Sequence, residues 1–268
     1  MLFKNGFFIL YFYLGLSFEL LAGIVLLDPG HGGEEFGAKC NLTITGGSSQ
    51  AIKNNKLGLA KNLVALYEKD LTLVLANKIK NHINQTSKHV VYLTRSFDKT
   101  IDLNERAKIA DLVQADIFIS IHFNSEEGTK GQGFETYFLS NQSDVAVKKL
   151  ESLENFMKDP VDDVTKKILI DLAVTKTITK SKLLATKVHQ EQVKFLKSKF
   201  KVNNRGLKSA MLYVLAKALR PGVLVEAGFI SNKEELSRIL ATDYLDIYAQ
   251  SIAKGIVTYF DEKSLSQK

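Results

Sequence analysis

Short apolar runs alternate along this chain with longer stretches in which apolar residues return every three or four positions. Runs of the first kind predict strands at residues 24–28, 90–94, 116–122, 133–139 and 223–226, with "AMLYVL" at 210–215 as a weaker sixth. The second kind predicts helices at 67–84, 103–112, 182–199 and 244–260. Strands and helices in alternation imply an α/β domain with a largely parallel sheet. Two stretches interrupt the alternation. Residues 34–62 are rich in Gly, Ser, Asn and Lys and read as a long loop near the sheet edge, and residues 140–180 read as a charged helical insert. Segments of that length inside a compact domain are usually functional or mobile. There is no internal repeat and no Pro- or Gly-rich linker, so one domain is the simplest organisation.

The 268 residues, 45% hydrophobic and 24% charged, are an ordinary globular composition with length enough for a sizeable core. A net charge of +7 suits an acidic partner such as a wall polymer, membrane headgroups or nucleic acid, and equally a purely solubilising role. The basic residues are dispersed, with no aromatic-basic motif, which argues against a nucleic-acid binder. A single cysteine, Cys40, excludes an internal disulfide and a CxxC-type metal site. Lys4 followed by "GFFILYFYLGLSF" and then the small residues Ala22 and Gly23 predicts an export leader over residues 1–23. An uncleaved anchor, or a buried first element, are the alternatives; membrane contact is expected only through an uncleaved leader.

Three apolar runs end in polar, chemically capable residues. "IVLLDPGH" closes on Asp28 and His31, "DIFISIHFN" carries His122 and Asn124, and "PGVLVEAGF" carries Glu226. In a parallel sheet the carboxyl ends of strands share one edge, where open α/β folds bind ligands. Glu68 begins a predicted helix on the same stripe as Thr72, Leu75 and Ile79, the stripe that should face the sheet. A carboxylate there needs a partner, because an unpaired buried charge is costly. His31, Glu68 and His122 make a two-histidine, one-carboxylate set of the kind that binds catalytic zinc, and the glycines around His31 permit a sharp turn. Each residue also has a structural reading. Glu68 suits the positive end of a helix, His122 a hydrogen-bonded core position, and Glu226 a lysine partner. His82, His89 and His189 read as surface residues.

The strings "LLDPGHGG", "YEKDLTLVLANKI", "VYLTRSFD", "LNERAKIAD", "ADIFISIHFNS", "GFETYFLS", "NRGLKSAMLYVL" and "VLVEAGFISN", in that order, resemble the zinc-dependent N-acetylmuramoyl-L-alanine amidases of the amidase-3 type. The similarity runs from about Ile24 to Phe260. It implies one α/β catalytic domain, residues 24–262, with a six-stranded, mostly parallel sheet flanked by helices and a helical insert near the active site. It implies hydrolysis of the amide between N-acetylmuramic acid and L-alanine of peptidoglycan in the periplasm or cell envelope. By motif it places one zinc ion on His31, Glu68 and His122 and the catalytic role on Glu226. Asn124 is a candidate, by position alone, for orienting substrate or supporting a ligand.

The resemblance also gives the 140–180 insert a meaning, since in some family members a helical segment here lies over the zinc until an activator protein displaces it. Glu151 and Glu154, three residues apart on one helix face, are then candidates for capping the metal, with a solvated charged helix as the alternative. Competing functions are an iron oxygenase using the same ligand set, a zinc peptidase or deacetylase of the wall, and a wall-binding protein without activity. An oxygenase has no use for Glu226, and a binding protein has no need of all four residues.

Overall fold

The computed structural model describes residues 22–41, 65–126, 130–141, 148–155, 163–241 and 243–265. In chain order the strands are β1 (Ile24–Pro29), β2 (Lys39–Asn41), β3 (Ala65–Tyr67), β4 (Val90–Leu93), β5 (Ile117–Asn124), β6 (Phe134–Leu139), β7 (Asn204–Ala210) and β8 (Gly222–Phe229). The helices are α1 (Glu68–Thr86), α2 (Leu103–Leu112), α3 (Lys148–Glu154), α4 (Asp163–Lys199), α5 (Tyr213–Ala218), α6 (Lys233–Ile239) and α7 (Tyr244–Leu265). Six strands form one sheet in the order β4-β1-β5-β8-β6-β7, and β2 pairs with β3 in a small separate ribbon. β4, β1, β5 and β8 run parallel, β6 is antiparallel to β8, and β7 follows the direction of β6. This is the single α/β domain with a mostly parallel six-stranded sheet expected above.

The central strands are nearly uninterrupted apolar runs because both of their faces are covered. β8 is buried at every position and β5 at all but Asn124. On one face α1 presents Leu71, Leu75, Ile79 and Ile83, joined by Tyr248, Ile252 and Ile256 of α7 and Leu184 and Val188 of α4. The other face packs against Ala110 of α2, Ile170 and Ala173 of α4, and Val214 and Leu215 of α5. The long α4 therefore serves both cores along its length. Because β6 and β7 run opposite to β8, their first residues meet the last residues of β1, β5 and β8 at one edge of the sheet. That edge carries the site.

Several expectations are corrected. The sixth strand is not 210–215: β7 lies at Asn204–Ala210, and the apolar run turns into α5. β7 is a half-exposed edge strand, so it lacks the apolar signature, and a short apolar run does not by itself distinguish strand from helix. The helix expected at 182–199 begins at Asp163, so the second part of the 140–180 insert is continuous with it. His89 and His189 are buried rather than at the surface. Gly23 N–H donates to His89 Nδ1 (2.9 Å), and His189 Nδ1 lies 3.0 Å from Thr136 Oγ1. Most of the leader and residues 42–64 of the expected loop lie outside the described residues. Among the described residues no helix is long and apolar enough to cross a membrane.

Candidate active site

β1 ends in the turn Pro29–Gly33, whose backbone places His31 at the sheet edge. His31 itself adopts the left-handed conformation, with φ 60°. Gly30 is required by close approach, since a Cβ there would lie 2.4 Å from the His122 ring. Gly37 has φ +66°, and a Cβ there would press on both Glu68 and His31. Two buried arginines hold the turn's carbonyls. Arg95 donates to Pro29 O (3.1 Å) and Gly30 O (3.0 Å), and Arg106 donates to Pro29 O and His31 O (both 3.1 Å). Asp28, fully buried, pairs with Arg106 and accepts from Thr94 Oγ1 (2.7 Å) and Ser120 Oγ (2.9 Å). It braces β1, β4 and β5 and does not belong to the ligand cluster.

Glu68 opens α1, where the positive helix end favours a carboxylate. Its Oε2 accepts from Ala38 N–H (2.8 Å) and its Oε1 from Phe123 N–H (3.0 Å), which orients it between two histidines. His122 Nδ1 lies 3.0 Å from Glu68 Oε1 and 3.1 Å from Glu154 Oε2. His31 Nε2 lies 3.2 Å from Glu68 Oε2, at ion-pair distance, and is left without a hydrogen-bond partner. The two imidazoles meet edge to face, with centroids 5.0 Å apart. One donor atom from each of His31, Glu68, His122 and Glu154 falls within 4.8 Å of the others. A buried ring nitrogen aimed at carboxylates without a hydrogen bond is what a metal ion satisfies, and a nitrogen and oxygen donor set suits zinc. The residues present therefore fit a metal ion.

The electrostatics agree. Burial works against a charged His31 ring, but the Glu68 and Glu154 carboxylates outweigh it and raise the imidazole to about 9. For Glu68 burial is likewise outweighed, and the two histidines hold its carboxyl far below the usual range. Glu154 is pushed up, first by burial and also by its proximity to Glu68.

Glu226 sits one strand over, directly paired in register with His122 on β5 and with Glu135 on β6. It is 1% exposed and its Oε2 has no hydrogen-bond partner. Burial, together with the carboxylates of Glu68, Glu154 and Glu135, raises its pKa well above the ordinary range. A buried carboxyl with a raised pKa, in register with His122, is equipped to accept and return a proton.

The structure separates the two insert glutamates. Glu154 enters the cluster, whereas Glu151 accepts a hydrogen bond from Met211 N–H (2.6 Å) and anchors α3 instead. Asn124 accepts from Ser125 N–H through its side-chain oxygen (2.7 Å). Sequence reasoning did not single out Arg95 and Arg106. Their only sequence signal is a charged residue inside an otherwise helical or strand-end motif, "LTR" and "LNER", which does not distinguish a buried arginine from a solvated one.

A family model described as N-acetylmuramoyl-L-alanine amidase matches residues 25–258. The chain is 32% identical over 246 residues to the N-acetylmuramoyl-L-alanine amidase AmiA of Salmonella typhimurium, covering 88% of this chain and 76% of that protein. It is also 32% identical over 259 residues to AmiA of Escherichia coli, covering 91% and 80%. Among solved structures, an N-acetylmuramoyl-L-alanine amidase from Clostridium difficile 630 superposes with a TM-score of 0.62 at 27% identity, covering 90% of this chain and 98% of that one.

Proposed function

The chain belongs to the N-acetylmuramoyl-L-alanine amidases, peptidoglycan hydrolases that cleave the amide between N-acetylmuramic acid and the L-alanine of the stem peptide, and from that premise we propose that His31, Glu68 and His122 hold one zinc ion and that Glu226 is the general base. The observation that carries this reading is the convergence of the donor atoms to within 4.8 Å of one another, with His122 on the strand next to that of a buried Glu226 whose Oε2 has no hydrogen-bond partner. The chemistry a bound zinc ion supplies is Lewis acidity, which brings the pKa of water to about 7 and polarises a carbonyl. Glu226 takes the proton of the attacking water and delivers it to the alanine nitrogen, because an amine leaves poorly unless protonated. Phe123 and Ala38 amides keep Glu68 oriented, and Arg95 and Arg106 keep the His31 turn in place.

Glu154 acts as the brake in this reading. Its carboxylate lies against His122, and its donor atom falls within 4.8 Å of those of His31, Glu68 and His122, so it would compete with water and substrate for a metal ion held there. An activator protein that pulls α3 away would open the site. Residues 1–23 carry the chain out of the cytoplasm to the periplasm or cell envelope, where its polymer lies. The ligand assignment is tested by metal content. The purified protein is expected to hold one zinc per chain and the Glu68→Gln and His31→Ala variants to lose it, while Glu226→Gln keeps it. Full zinc retention by the ligand variants would refute the assignment.

A further inference from the structure

The row of polar side chains on the site's edge does not stop at Glu226. Next along the sheet, Glu135 of β6 lies opposite Glu226, and its buried carboxylate is shared by two cations from β7, the outermost strand. Arg205 Nε bonds Glu135 Oε1, and Lys208 Nζ bonds the same oxygen at 2.9 Å. Tyr137 donates to the other oxygen. One carboxylate thus faces two positive charges. Lys208 is 18% exposed, and Arg205, 39% exposed, stacks its guanidinium 4.9 Å over the Phe229 ring. A guanidinium carries five donors, and only Nε is committed to Glu135. Its planar fork is therefore fixed in direction, with donors remaining for another anion. Glu126, exposed on the loop after β5, lies within electrostatic reach of Arg205 but is screened by solvent.

The opposite rim differs in chemistry. One residue before Gly37, which abuts His31 and Glu68, the ring of Phe36 is 49% exposed, packs on Tyr67 with centroids 4.8 Å apart and has the Lys69 ammonium 4.6 Å from its centroid. An aromatic surface suits a neutral sugar ring, and a guanidinium with an ammonium suits a carboxylate. The scissile amide joins a sugar to a peptide. In stem peptides whose second residue is a γ-linked glutamate, a free α-carboxylate lies just one residue beyond L-alanine.

Building on the amidase reading, we propose that Arg205 and Lys208, braced by Glu135, bind that α-carboxylate and so orient the stem peptide toward β7 and the glycan toward Phe36. The pair is then a specificity device rather than a structural ion cluster, and the two differ in what they predict. The test uses the zinc-loaded full chain and two N-acetylmuramoyl peptides identical except that the second residue carries either a free α-carboxylate or its carboxamide. The wild type is expected to favour the carboxylate by about tenfold or more in kcat/KM, a factor typical of a charge-assisted hydrogen bond. Arg205→Gln should abolish that preference, mainly by raising KM for the carboxylate form, and Arg205→Lys should restore part of it. Equal loss on both substrates, or no loss on either, overturns the proposal. Calorimetric binding of the corresponding free L-alanyl peptides separates this outcome from failure of the amidase reading. Preference for the carboxylate peptide that disappears in Arg205→Gln upholds the recognition even if neither substrate is cleaved, and equal or undetectable binding of both peptides overturns it.

Discussion

His31 keeps a left-handed backbone that costs a non-glycine residue free energy, and such strain persists where surrounding contacts over-determine the geometry. Here those contacts are the arginine clamps on the turn and the absence of a side chain at Gly30. Gly30→Ala should therefore destabilise the fold by about 1–3 kcal/mol, the usual cost of overpacking, and should weaken zinc binding by displacing His122. Chemical denaturation and a zinc competition titration check both. At this scale His31, Glu68, His122 and Glu226 are legible in the sequence, because each ends a strand or begins a helix with a residue type that burial alone does not favour. Glu154 could not be told from Glu151, since both share a helix face and only the docking of that helix decides which enters the His/Glu cluster. Asp28 is visible as a polar residue closing an apolar run, but its partner Arg106 is distant in sequence and unmarked.

The element that brings Glu154 into the His/Glu cluster is α3. It is pinned to the segment after β7 by Glu151 on Met211 N–H and by Asn155, which donates to Met211 O (2.6 Å) and accepts from Tyr213 N–H (2.8 Å). If α3 restrains the site, weakening either its ligand or its dock must raise basal hydrolysis. Glu154→Gln is expected to raise it most. Asn155→Ala should raise it several-fold, since each hydrogen bond contributes about 0.5–1.5 kcal/mol to the docked state. Dye release from labelled peptidoglycan measures both, and unchanged rates in both variants would remove the inhibitory role of α3. Element types are legible where periodicity is strong, as in α1, expected at 67–84 and found at Glu68–Thr86 with Leu71, Leu75, Ile79 and Ile83 buried on one face. β7 escapes notice because an edge strand with one wet face carries little apolar signal, and the adjacent run in α5 carries too much.

Across the whole molecule, the two cores enclose a buried Asp28–Arg106 pair that ties strands to α2. Burial alone would raise the Asp28 carboxyl, but Arg106 and the Thr94 hydroxyl hold it below its ordinary value. A depressed folded-state pKa contributes stability that is present above the unfolded value of about 3.9 and is lost as pH falls through the folded one. Stability should accordingly fall at acid pH. Asp28→Asn should lose about 3–5 kcal/mol at neutral pH by stranding Arg106 and should flatten the acid dependence, both readable from urea melts across pH. The overall α/β architecture is legible from the alternation of runs, whereas the covering of the site by α3 depends on tertiary docking that no local pattern encodes.

The most direct test of catalysis by Glu226 at a metal held by His31, Glu68 and His122 is the mass of the products that the zinc-loaded protein releases from purified peptidoglycan, beside a Glu226→Gln control. The expected result is soluble stem peptides with a free L-alanine amino terminus and an uncut glycan, with release reduced by about 10²–10⁴-fold in the control. Peptides cut within the stem, released acetate, or equal release by Glu226→Gln would contradict it.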